Sequence, residues 1–161
     1  DPENIGVANQ NQVVYQTNTN GGHTGYLGFV IDGTTNPVQS TSLTIDFDQP
    51  VVGLSFSASD IDYSQNNVWQ DIIKVTGSLD GTSVSYDSQV SGYIVKNGDT
   101  FYGLGSVPPN DAHGNINFFF PTAVNQVVLE YNCSKPWCSN CCNYGSLLAS
   151  YICTSSFKCK W

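Results

Sequence analysis

Apolar and polar residues alternate with period two through most of residues 1–130, the spacing that a β-strand imposes on its side chains. Over residues 41–48, Leu43, Ile45 and Phe47 fall on one face, and Thr44, Asp46 and Asp48 on the other. Gln49-Pro50 marks a turn, after which Val52, Leu54, Phe56 and Ala58 form a second inward stripe. Short apolar runs at 12–16 and 26–31 join alternating runs at 71–78, 82–87, 92–96, 100–104, 115–120 and 125–131, which brings the expected strands to ten. Leu79-Asp80-Gly81 and Lys96-Asn97-Gly98-Asp99 read as hairpin turns, because Asn, Asp and Gly accept the positive φ of tight turns. Residues 145–152 are a candidate for a short helix that eight residues do not decide. The pattern predicts an all-β chain, an antiparallel β-sandwich of jelly-roll type.

The character of the sequence changes after Tyr131. Residues 1–130 hold all 13 acids and two of the five lysines, whereas 131–161 hold Lys135, Lys158, Lys160 and no acid. All six cysteines, Cys133, Cys138, Cys141, Cys142, Cys153 and Cys159, lie in that last stretch. The expected organisation is a sandwich over 1–131 and a basic, disulfide-rich appendage over 132–161. Residues 1–16 are a segment suited to docking on, or adding a strand to, a neighbour. An even number of clustered cysteines reads as a disulfide framework formed in an oxidising compartment, with fifteen pairings open. Zinc is the rival, since Cys138-x-x-Cys141 has ligand spacing, but no second such pair follows and Cys141 and Cys142 adjoin.

Composition narrows the classes further. A chain of 161 residues suits one domain and is long enough to bury its own core. Asn, Gln, Ser and Thr make up 55 residues and charged residues only 11%, against about 25% in ordinary domains. Such uncharged polarity among β-branched and aromatic residues points to an extracellular or cell-surface location. A net charge of −8 with no Arg argues against nucleic acid, whose phosphates require clustered bases. No apolar run has the length of a transmembrane segment. The absence of Met implies a processed product.

The stretch Pro50-Val51-Val52-Gly53-Leu54-Ser55-Phe56-Ser57-Ala58-Ser59-Asp60-Ile61-Asp62, followed by Asp71-Ile72-Ile73-Lys74-Val75-Thr76-Gly77, resembles secreted prokaryotic surface and adhesin β-sandwich domains. In these, a strand ending in Asp-Ile-Asp precedes a loop and a second strand. The resemblance spans residues 41–131 and implies an extracellular domain without enzymatic activity. The cysteine-rich segment has no counterpart in that pattern.

Asp60 and Asp62 continue the parity of Val52, Leu54, Phe56 and Ala58, so an unbroken strand would aim both carboxylates inward. Buried carboxylates require donors or a cation. Either the strand ends near Ser59 and the aspartates cap a turn, or Asp60, Asp62 and Asp71 gather oxygen ligands for calcium. No other cofactor is called for. Trp69, Tyr63, Asn66 and Asn67 are the candidate carbohydrate contacts, with Tyr93 and Tyr102 as further aromatics beside loops. His23 and His113, both in Gly-rich stretches, read as turn residues. No nucleophile, base and orienting group can be named together, so no enzyme is expected.

Two functional readings remain. The first is an extracellular structural subunit whose copies join head to tail into a filament, sheath or surface layer, through bipolar charge and the cysteine block. The second is a secreted carbohydrate-binding module.

Overall fold

The computed structural model describes residues 12–20, 23–30, 38–63, 70–108, 111–134 and 146–151. Among them are twelve strands and one short 3-10 turn, so the chain is all-β. In chain order the strands are β1 (Gln12–Asn20), β2 (His23–Val30), β3 (Val38–Val51), β4 (Leu54–Ser59), β5 (Asp71–Leu79) and β6 (Thr82–Val84). Then come β7 (Asp87–Val90), β8 (Ile94–Asn97), β9 (Thr100–Gly103), β10 (Ile116–Phe120), β11 (Val124–Ser134) and β12 (Ser146–Tyr151). They form two antiparallel sheets, ordered β1-β2-β12-β4-β10-β7 and β3-β11-β5-β9-β8, with β6 on the far end of β5.

Alternation decides which face of each strand is inward. Leu43 and Ile45 of β3, Ile73 and Val75 of β5, and Val127, Leu129 and Tyr131 of β11 are buried from the second sheet. From the first sheet come Leu54, Phe56 and Ala58 of β4, with Ile116, Phe118 and Phe120 of β10. These residues make one core. Phe118 stacks on Phe56 at 5.0 Å within its own sheet and meets Phe101 of the other sheet edge-on at 5.3 Å. Each such ring or branched side chain withdrawn from water contributes about 1.5–3 kcal/mol.

The turns follow their sequence signals. Asp80 and Gly81 both take positive φ between β5 and β6, and Gly98 does so between β8 and β9. Gln49-Pro50 is not a turn, because β3 runs on to Val51. The reversal falls instead at Val52-Gly53, where Gly53 has φ of 73° and Val52 is 70% exposed, so Val52 leaves the inward stripe. The expected strand over 82–87 is split, since β6 lies in the second sheet and β7 in the first.

The largest difference concerns the C-terminal segment. Where a short helix was a candidate, β12 is a strand that pairs with β2 on one side and β4 on the other. It therefore lies inside the first sheet. Residues 12–16, read as a segment for a neighbour, pair with β2 of their own chain and leave β1 at the sheet's edge. Cys133 sits on β11 opposite Gln39 and Asp71. Cys138, Cys141, Cys142, Cys153 and Cys159 lie outside the described residues, as do residues 1–11.

Candidate functional site

The inward parity of β4 ends in polar residues, and the backbone breaks there. Ser59 is the last residue of the strand, and Asp60 takes a positive φ of 66°, which turns the chain out of the sheet. Ile61 is then fully buried, its N–H bonded to the Gly114 carbonyl at 3.0 Å. Asp62 follows, and Asp71 begins β5 on the same inward face as Ile73 and Val75. The structure thus brings Asp62 and Asp71 together at one end of the core.

Their partners are protein donors. The Asp62 N–H donates to Asp71 Oδ2 at 3.0 Å, while the Asp71 N–H donates to the Asp62 carbonyl at 3.0 Å. The Tyr131 hydroxyl donates to Asp71 Oδ1, and the Val107 N–H donates to Asp62 Oδ2 at 3.2 Å. Two antiparallel strands, the chain after β4 and the loop after β9 are thereby joined through two carboxyl groups. Gly103 permits the approach, since a Cβ there would run into the backbone of Asp62.

Burial sets the charge state. It raises the Asp62 carboxyl from an ordinary 3.8 to about 6, against the pull of the Val107 amide and with a further push from the Asp60 charge. Asp71, only 2% exposed, is lifted well above the usual carboxylate range by burial, despite the donors Tyr131 and Asp62. Two neighbouring carboxyls in one buried site favour holding a proton between them.

The bonds formed are those the capping alternative calls for, carboxyl oxygens accepting from backbone amides. Three of the four oxygens of Asp62 and Asp71 already accept from a phenol or an amide. Among the described residues, no three His, Cys, Asp or Glu side chains are grouped as metal ligands. Added calcium is expected to leave the thermal midpoint unchanged. A calcium-dependent rise that Asp60→Ala abolishes would reinstate the cation site.

The carbohydrate candidates fare differently. Tyr63 is half-buried, donates its N–H to the Gly105 carbonyl at 3.1 Å and pairs across with Gln70. Asn66, Asn67 and Trp69 lie outside the described residues. Tyr102 is on β9, and Tyr93 stands just before β8 with 46% of its surface exposed. His113 does occupy a turn, the 3-10 segment Ala112–Gly114, whereas His23 opens β2.

Sequence reading missed Tyr131 and Val107 as partners of the aspartates. Tyr131 closes the expected strand over 125–131, but its hydroxyl meets a residue 60 positions away.

No protein family, curated protein or solved structure matches the chain.

Proposed function

We propose that this chain is an extracellular structural subunit that self-assembles, built as a two-sheet sandwich with a basic, cysteine-rich C-terminal part. The observation that carries the reading is β3, a 14-residue strand with a neighbour on one side only among the described residues. A typical strand has about 5–6 residues, and long open edges invite the addition of another strand. Outward-facing Asp46 and Asp48 are exposed on β3, so two β3 edges from separate copies would oppose like charges. The same acids attract a basic segment, and residues 131–161 hold three lysines and no acid. Edge and tail are therefore complementary between copies, which gives a head-to-tail contact that extends into a polymer wherever its rotation does not close a ring. Cysteine pairing within or between copies would fix such a contact in an oxidising exterior. Calcium has no part in this reading, and no catalytic step is assigned.

The test is sedimentation of the full chain over a range of concentrations, beside the double variant Asp46→Lys/Asp48→Lys. Wild type forms large species at low salt that shrink as salt rises, and the variant loses most of them while keeping its β-sheet circular dichroism. Equal assembly by both proteins would exclude the β3 edge.

A further inference from the structure

At the edge of the second sheet opposite β3, a fixed aromatic ring lies beside an exposed carboxylate and imidazole. Tyr93 and Leu104 face each other just outside the β8–β9 pairing, with 46% and 52% of their surfaces exposed. Hydrogen bonds tie down both backbones. The Leu104 N–H donates to the Tyr93 carbonyl at 2.8 Å, and the Tyr93 N–H donates to Ser91 Oγ at 3.4 Å. Ser91 Oγ in turn donates to the His113 carbonyl. The Tyr93 ring stands edge to face with the His113 imidazole at 5.5 Å and 88°. It also crosses Gly105 so closely that a Cβ there would strike it.

His113 is anchored as well. Its N–H donates to Asp111 Oδ1 at 3.0 Å, and its Nδ1 lies 2.6 Å from the same oxygen. Those bonds, the backbone one foremost, hold the Asp111 carboxyl below its usual range, so it is an acceptor at neutral pH. The side chains of His113 and Asp111 are nevertheless 61% and 39% exposed. An exposed ring already packed against Gly105 and His113 has less rotamer freedom to lose when a ligand covers it. Ring, imidazole and carboxylate side by side suit a ligand with one apolar C–H face and a hydroxylated rim. A pyranose has that form. With 13 acids and two lysines over residues 1–130, an anionic sugar would be repelled.

We propose that Tyr93, His113 and Asp111 form a subsite for one neutral hexopyranose unit of a glycan. Tyr93 stacks on the sugar's C–H face, and Asp111 and His113 bond its hydroxyls. The subsite lies away from β3 and does not depend on assembly.

The test is native affinity electrophoresis of the full chain through gels containing dextran, laminarin or α-mannan, with polygalacturonate as the anionic comparison. At least one neutral polymer retards the wild type, and polygalacturonate does not. Tyr93→Ala weakens retardation about tenfold or more, equivalent to one stacked ring, whereas Tyr93→Phe stays within about threefold. Asp111→Asn keeps the cap acceptor, loses the charge and also weakens retardation, which serves if Tyr93→Ala does not fold. The proposal is overturned if no neutral polymer retards the wild type, if polygalacturonate retards it most, or if variants melting like wild type are retarded equally.

Discussion

Replacing Asp71 by alanine lowers the stability of this protein by about 2–5 kcal/mol when measured near pH 5. The buried Tyr131 hydroxyl and the Asp62 N–H both lose their acceptor, and a buried donor left without one costs roughly 1–3 kcal/mol. Opposing this, alanine removes a carboxyl whose burial disfavours its charged form. That relief is greatest when the group must ionise, so the loss is largest at mildly acidic pH and smaller towards alkaline pH. Tyr131→Phe removes the donor and keeps the ring in the core, so it costs about 1–2 kcal/mol. The double variant costs less than the two single changes added, because both remove the same bond. Urea unfolding of the four proteins measures this cycle. An Asp71→Ala protein within about 0.5 kcal/mol of wild type would show that the carboxyl does not hold this end of the core.

The second large effect is a gain of stability on acidification. The folded-state carboxyl of Asp62 sits near 6, above its ordinary 3.8, so in this interval the folded chain binds more proton than the unfolded one. Stability then falls as pH rises. The contribution is fully present below 3.8 and is lost as pH climbs through about 6. Asp71, shifted in the same direction, extends the trend upward. Asp111 is shifted the other way and loses its contribution only below its ordinary 3.8, outside this window. The thermal midpoint therefore rises between about pH 8 and pH 5, by some 2–4 °C for each kcal/mol gained. Asp62→Asn removes one of the two charges and retains a carbonyl for the Val107 amide. It flattens the profile and raises the midpoint at about pH 8. A midpoint that falls across the same range would contradict the shared-proton account of this site.

How far the sequence reaches is seen in these residues. Alternation over 41–48 and 52–58 predicted Leu43, Ile45, Leu54, Phe56 and Ala58 as inward, and all five are buried. It did not foresee that Ser57 and Ser59 on the other face of β4 are buried as well. The Asp80-Gly81 and Gly98 turns were legible because they need positive φ. The Asp60–Asp62 pair was legible as an anomaly, polar residues in an inward register. Its resolution was not. Parity assigns a face but never a neighbour, so the meeting of Asp71 with Tyr131, and of Asp62 with Val107, awaited the strand order. For the same reason β12 could not be placed between β2 and β4 from its short run alone. Residues 82–87 looked like one strand because alternation does not record that the chain crosses from one sheet to the other. Tyr93 was read as an aromatic beside a loop and His113 as a turn residue, and only the packing of Tyr93 across Gly105 and against His113, with the His113 bonds to Asp111, joins the three.

Self-assembly is tested most directly by negative-stain electron microscopy of the concentrated full chain under oxidising conditions, with the same sample run on gels with and without reductant. The account predicts filaments or sheets whose subunits resolve to one band of 17.4 kDa on reduction. A uniform monomer on the grid and in both lanes, at every concentration tried, would contradict it.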